Sequence, residues 1–517
     1  MKIEKTPPLT AFLSASVFGV FTHLFGLVNI MHNYDDIAQQ PGGYGTGITS
    51  GRWLLSILGD LSDKVGVDYN LPYLDGVVFL LLIACAAGVL VSTFRLRSHL
   101  SAAAVGMLFA AFPSTFSTLV FHYTAKYYGI GVLCAVLAAW VVCKCRNPVS
   151  GLILSALFTA FSLGIYQAYV PITIGIFVLL LIRQALADES SADVGRLILR
   201  GLYYCAVLLL GLVFYFVFLK LSLALYGTAL SDYQGVNEMG KISLSSLPQL
   251  VKEAVYYVLM LPRKDFCGIS CTWLLKLTYV VLGGISLLVI GYLLVFRVRK
   301  LSIALFTAVL CMLFPLAVNF VIVMCPESNI YTLMLYSFAL LGCTPIILLE
   351  CLPPHGTSCR QWLHKTRIAV GIAMTLLIGS YAYQTQINYT ALYYSNRQIE
   401  NYLNSLVTQV RMTDGFRTDL EWAFIGDLED PLLYCYWQYE MTFGGIEFTQ
   451  PMLQRYSWDF WIQNYYGYTL PLASEETVAA LCETSAVKQM PCWPNAGSVQ
   501  VLGDTVVIKC QELCLPD

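Results

Sequence analysis

The sequence predicts a polytopic α-helical membrane protein with a small extracytoplasmic α/β domain at its C-terminal end. Three observations carry that expectation. Hydrophobic residues make up 57% of the chain and charged residues only 12%, where a soluble chain would hold about 25% charged residues. The apolar residues come in blocks of roughly 20, long enough to cross a hydrocarbon core as helices. From Gln384 onward the pattern changes to short amphipathic and alternating runs, the signature of a folded domain outside the bilayer.

Taken in order, apolar blocks at 11–31, 74–94, 101–121, 127–143, 151–166, 168–186, 201–226, 275–296, 301–324, 330–349 and 368–383 predict about eleven spans. The first block is too long for a cleavable h-region and lacks a small-x-small exit, so it reads as a retained anchor. Alternate connections carry the basic residues: Lys2 and Lys5; Arg95 and Arg97; Lys144 and Arg146; Arg183, Arg196 and Arg200; Arg297, Arg299 and Lys300; Arg360, Lys365 and Arg367. Basic loops stay cytoplasmic, which puts the N-terminus inside. An odd number of spans then puts the tail outside. The expected organisation is a transmembrane domain over 1–383, with outer loops 32–73 and 227–274, and an outer domain over 384–517.

The polar, chemically capable residues thereby gather on one side. Within the outer loops, Leu54, Leu55, Leu58 and Leu61 recur at helical spacing, as do Leu247, Leu250, Val251, Ala254, Val255 and Val258. Both runs predict amphipathic helices lying along the interface. In the tail, Ile399, Leu403, Leu406 and Val410 form a helix stripe, and Trp422 to Ile425 reads as a buried strand. Ser474, followed by Glu475, Glu476 and Thr477, starts a helix running to about Val487. Val499–Leu502 and Thr505–Lys509 around Gly503-Asp504 read as a hairpin. Cys482, Cys492, Cys510 and Cys514 could pair in an oxidising exterior, with connectivity open. Elsewhere the 17 cysteines are scattered, several inside apolar blocks as small hydrophobes, and none has zinc spacing. A net charge of -2 points away from nucleic acid.

The chemistry centres on Met31-His32-Asn33-Tyr34-Asp35-Asp36, at the end of the first span, and on Ser50-Gly51-Arg52-Trp53 beyond a Gly-rich stretch. Carboxylates at a membrane boundary are costly. The bland account of Asp35 and Asp36 is a polar helix end. The functional one is a general base or divalent-cation site at the mouth of a membrane cavity. Two adjacent carboxylates also raise the pKa of one of them, which suits a base near neutral pH. Arg52 can grip a phosphate with two hydrogen bonds, or anchor the interface together with Trp53. It does not end a P-loop, because the Gly-Lys-Ser/Thr closure is missing. His122 and Lys126, and in the second large loop Arg263 and Lys264, could also hold phosphate or simply snorkel. Trp53, Tyr166, Gln167, Tyr233 and Gln234 offer aromatic faces and amides to a sugar or acceptor, or serve as interface and turn residues. Lys220 is expected to reach outward to the interface.

Tyr34-Asp35-Asp36, Ser50-Gly51-Arg52-Trp53, Tyr166-Gln167-Ala168, Tyr233-Gln234-Gly235 and Pro494-Asn495-Ala496-Gly497-Ser498 through Val506-Val507-Ile508-Lys509 occur in this order. The set resembles the serotype-converting glucosyl transferases, the type-II Gtr group that modifies O-antigen in bacteria. The resemblance implies a GT-C type membrane enzyme working on the outer side of the cytoplasmic membrane. Its donor would be a polyprenyl-phosphate sugar, an undecaprenyl phosphate-hexose with glucose as the expected sugar, and its acceptor an envelope glycan. It also implies essential acidic residues in the first outer loop, an expectation that falls on Asp35 and Asp36. A polyprenyl-phosphate sugar synthase and a flippase would be functional neighbours. The His122–Lys126 turn and the cysteine-rich tail have no counterpart in that resemblance. The rival expectations are a transporter or flippase for a lipid-linked saccharide, disfavoured by the lack of repeats and of mid-span charges, and a glycan-binding protein without chemistry.

Overall fold

The computed structural model describes residues 6–187, 193–231, 245–298, 300–326, 329–352, 360–428, 453–467 and 470–512. They form two compact units. The first takes residues up to Val28 and then Gly42 to Gln386; the second takes Asn29–Pro41 and the chain from Ile387 onward, apart from 442–445.

The described residues of the first unit are mostly helical. Its elements are α1 (Pro7–Val28), α2 (Trp53–Lys64), α3 (Pro72–Phe94), α4 (His99–Ala111), α5 (Pro113–Leu119), α6 (His122–Lys144), α7 (Pro148–Ile165), α8 (Val170–Ala187), α9 (Val194–Tyr226), α10 (Leu247–Met260), α11 (Trp273–Tyr292), α12 (Leu301–Val318), α13 (Val321–Met324), α14 (Ala339–Leu349) and the start of α15 (Arg360–Met412). Among the described residues, nine helices are long and apolar enough to cross a membrane, or ten if the bent pair α4–α5 counts as one span.

That pair is bent by 40° at Phe112. Pro113 causes the break: it forces the preceding Phe112 out of helical geometry (ψ 141°). Polar side chains then serve the interrupted backbone. Thr115 donates to the Phe109 carbonyl at 2.9 Å, and Ser114 to the Thr332 carbonyl at 2.6 Å, as irregular backbone in an apolar setting requires.

The expected span over 330–349 is not one long helix. Short turns at Thr332–Met334 and Tyr336–Phe338 precede α14, and the apolar helix Tyr336–Leu349 is too short to count with the others. Thr332 donates to the Cys267 carbonyl (2.6 Å) and Ser337 to the Val318 carbonyl (2.5 Å), which hold this stretch in tight turns.

Small and hydroxylated residues bring the spans together. A Cβ on Gly106 of α4 would fall 2.3 Å from the Ala11 carbonyl of α1, so only glycine permits that approach. The α6 backbone accepts hydrogen bonds from Ser155 and Ser162 of α7 and from Thr173 of α8, at 2.6–2.9 Å, which makes α6 the hub around which the neighbouring spans are registered. The two amphipathic helices form as the Leu spacing predicts, as α2 and α10. Lys220 is exposed on α9.

The second unit holds the rest of α15, then β1 (Glu421–Ile425), α16 (Trp458–Tyr466), α17 (Glu475–Cys482), α18 (Ser485–Gln489), β2 (Val499–Leu502) and β3 (Thr505–Lys509). The sheet order is β1-β3-β2. The hairpin β2–β3 is antiparallel, as the sequence predicts, and β1 adds parallel to β3. Ala423, Ile425 and Val507 pack under Val487 and Met490 to make its core. The helix expected from Ser474 to about Val487 is two helices. Ser474 caps the first, and Thr484 accepts from Val487 N–H to cap the second, which ends the first at Cys482. Cys482 and Cys492 are free thiols, and Cys514 lies outside the described residues.

Candidate active site

Two polar constructions stand out, one in each unit. In the second unit, the loop after α1 is built around Asn33, whose Oδ1 accepts the backbone N–H groups of Asp35 (2.9 Å) and Asp36 (2.6 Å). This Asx-type turn satisfies the backbone locally and fixes both carboxylate-bearing residues. One side-chain amide clamps the preceding residue: Asn396 of α15 accepts from His32 N–H at 2.8 Å and donates to the His32 carbonyl at 2.9 Å.

Within this frame Asp36 is wholly buried, and its Oδ2 lies 2.5 Å from His32 Nδ1. The His32 ring meets the Trp461 and Tyr465 rings of α16 edge-on at 6.2 and 6.4 Å. A buried carboxylate needs such a partner, and the pair holds the imidazole in one orientation.

Asp35 is only half-buried and points to a different partner, accepting the Tyr456 hydroxyl at 2.5 Å. Burial raises its pKa above the ordinary carboxylate value; the Tyr456 hydrogen bond opposes that rise, and the charge of Asp36 adds to it. The loop thus holds one carboxylate with raised basicity beside a fixed carboxylate–imidazole couple. His32 and Asp36 are the groups in this loop that could share a cation.

In the first unit, residues 44–52 form a closed cradle. Gly45 adopts φ +70°, and a Cβ there would fall 2.5 Å from the Tyr123 ring, so glycine is required twice over. Gln167 donates to the Ser50 carbonyl at 2.9 Å, and Tyr215 to the Gly51 carbonyl at 3.1 Å. Trp53 starts α2 with its indole pressed onto Gly164, between Phe161 and Phe218, and is only 4% exposed. Its ring is enclosed and locks the loop rather than opening toward a ligand.

Arg52 is thereby fixed over the Tyr166 ring, 4.9 Å from its centroid, with Nη1 donating to the Thr46 hydroxyl at 3.3 Å. Tyr166 in turn stacks on Tyr128 of α6 at 4.7 Å. A guanidinium held over an aromatic face keeps its planar fork of donors in place, an arrangement suited to anion recognition.

The cradle closes against the start of α6, where His122, Tyr123 and Lys126 stand in the first two turns. His122 is buried there. Lys126 forms an ion pair at 3.1 Å with the buried Asp75 of α3, whose other oxygen accepts Leu71 N–H. Arg263 and Lys264 are exposed on the turn after α10, with Lys264 6.0 Å above the Tyr257 ring. That turn is ordered by Asp265, which accepts from Gly268 and Ser270 N–H. Tyr233 and Gln234 lie outside the described residues.

With this geometry in view, the comparison with known families is decisive. The family described as glucosyl transferase GtrII matches residues 24–341, well over half of the chain. The chain belongs to that family. It is a membrane glucosyltransferase, and the matched stretch contains both the carboxylate loop and the arginine cradle. Neither the curated proteins nor the solved structures gave a match.

Three residues of these constructions escape sequence reasoning. His32 lies in the stretch that the sequence singles out, and its pairing with Asp36 shows only in three dimensions. Asp75, one residue into an apolar run, was legible as an oddity. Asn396 and Tyr456 lie 364 and 421 positions from their partners, and no local pattern marks them.

Proposed function

We propose that this glucosyltransferase moves glucose from a polyprenyl-phosphate carrier to an envelope glycan, by an inverting single displacement of the GT-C type on the outer side of the bacterial cytoplasmic membrane. The observation that carries the reading is the half-buried, raised-pKa Asp35 beside the fixed Asp36–His32 couple, in the loop that follows the first membrane helix. A glycosyl phosphate already has a good leaving group. What the reaction needs is removal of the acceptor hydroxyl proton and stabilisation of the departing phosphate.

In the proposed step Asp35 takes the proton as the acceptor oxygen attacks the anomeric carbon. The glycosidic bond forms, the carbon–oxygen bond to phosphate breaks, and the electron pair leaves with the carrier phosphate. Asp36 and His32 hold the loop and keep a second charge close by. Arg52 meets the phosphate, because its place over the Tyr166 ring holds the guanidinium in the cradle. Lys126, paired with Asp75, and His122 contribute to the potential around it, and Arg263 and Lys264 draw the anionic headgroup toward the surface. Gln167 and Tyr166 act by shaping the cradle. The alternating basic loops support an inside N-terminus and an outside tail.

The test uses purified protein in nanodiscs with radiolabelled glucosyl polyprenyl phosphate and glycan from cells lacking the gene. Label appearing in the glycan with inverted anomeric configuration is the expected result. Donor movement across vesicles without bond formation would overturn the reading.

A further inference from the structure

The second unit contains an open cleft of about 370 Å³ that the carboxylate loop does not line. Its wall is a run of rings: Trp422 and Phe424 of β1, 6.3 Å apart, then Trp458 of α16 at 5.1 Å from Phe424. The rest of the lining is Leu472 and Ala473, in a segment whose Pro471 carbonyl accepts from Trp422 N–H (2.7 Å) and whose Ala473 N–H donates to the Trp422 carbonyl (3.0 Å), and the first turns of α17. Two carboxylates, Asp459 and Glu475, stand among these apolar faces. Trp458 is only 4% exposed, and its Nε1–H has no acceptor among the described residues.

Each feature narrows the ligand. The volume sits at the low end of the range of about 300–1,000 Å³ typical of small-molecule sites. Carboxylates in the cleft wall disfavour phosphate or other anions. Aromatic faces beside carboxylate acceptors suit a neutral polyhydroxylated ring, whose C–H face packs on indole while its hydroxyls donate to carboxylate oxygens.

The position is informative as well. One short stretch serves both places: Tyr456 donates to Asp35, Trp461 and Tyr465 pack on His32, and Trp458 and Asp459 line the cleft. We infer that the cleft is an acceptor subsite that binds a neutral saccharide unit of the glycan and, through α16, couples its occupancy to the carboxylate loop. This inference rests on the glucosyl-transfer reading above for the identity of its ligand.

The experiment titrates full-length protein in nanodiscs with polysaccharide released by mild acid from cells lacking the gene. It is followed by saturation-transfer NMR and by the acceptor KM. Two variants probe the cleft: Ala479→Trp, which fills it from an exposed position on α17, and the double change Asp459→Asn with Glu475→Gln. Both are expected to weaken glycan binding and raise the acceptor KM by about ten-fold or more, with the donor KM moving far less. Wild-type acceptor binding and KM in both variants, with unfolding temperatures shown to match wild type, would overturn the inference. So would competition by inorganic phosphate. Glycan binding that is lost in both variants, in a protein that transfers no glucose, would support the subsite and sink the transfer reading instead. Transfer that proceeds with no glycan binding at the cleft would do the reverse.

Discussion

Asp35 and Arg52 stand seventeen positions apart in sequence, yet they belong to different units and are built on opposite principles. The carboxylate loop is held by hydrogen bonds: Asn33 to the backbone of Asp35 and Asp36, Asn396 to the backbone of His32, His32 to Asp36. The arginine cradle is held mainly by packing, with Trp53 wedged on Gly164 and Arg52 stacked on Tyr166. A proton-transfer group needs a tuned environment, and hydrogen bonds and burial tune it. An anion grip needs only a cation in a fixed plane, and aromatic packing supplies that. The contrast supports separate duties toward acceptor and donor.

The largest effect that could break this division is expected for Asp35→Asn, which keeps the shape and removes the base. Transfer should fall by about a thousand-fold in kcat, measured with radiolabelled donor, while donor binding persists. Next comes Arg52→Ala, expected to lower kcat/KM by roughly ten- to a hundred-fold through the donor KM, because one charge-assisted contact is lost. Arg52→Lys should recover little of that, since lysine lacks the planar fork that the Tyr166 stack orients. A full rescue by lysine would show that charge alone matters in the cradle.

Asn396→Ala sharpens the hydrogen-bond side of the comparison. It leaves two buried backbone groups of His32 without partners and should cost about 1–3 kcal/mol, read as a lower unfolding temperature together with a loss of transfer. The smallest effect is expected for Tyr456→Phe. Its hydroxyl lowers the pKa of Asp35, so removing it lets burial raise that pKa further. Because the base acts ionised, the acid limb of the pH–rate profile should move to higher pH, with kcat at high pH changed less than about ten-fold. An unmoved limb would shift the proton-accepting role to Asp36.

Much of the first unit was legible in the sequence, because a run of twenty apolar residues has few other uses. The apolar spacing of α10 gave its buried face as directly, through Leu250, Ala254 and Val258; on α2 it gave the helix, but the buried face is Trp53, Leu55, Ser56 and Gly59, and Leu61 is exposed. The break at Pro113 and the short turns before α14 were not visible, since their hydroxylated side chains sit inside apolar blocks and reveal their partners only in three dimensions. In the tail, Gly503-Asp504 announced the hairpin, but the parallel pairing of β1 with β3 joins positions more than 80 residues apart and leaves no local trace. For the candidate site, the carboxylates and Arg52 could be singled out by cost and position. Trp53 illustrates the limit: an aromatic beside an arginine reads equally as sugar platform or wedge, and only packing against Gly164 separates the two.

The central claim is that Asp35 acts on the acceptor and Arg52 on the donor phosphate. It is tested most directly by measuring donor affinity and single-turnover transfer rate side by side for Asp35→Asn and Arg52→Ala in nanodiscs. The account predicts that Asp35→Asn binds donor like wild type and fails in transfer, whereas Arg52→Ala binds donor weakly and regains much of its transfer at saturating donor. An Asp35→Asn protein that transfers glucose at the wild-type rate would contradict it.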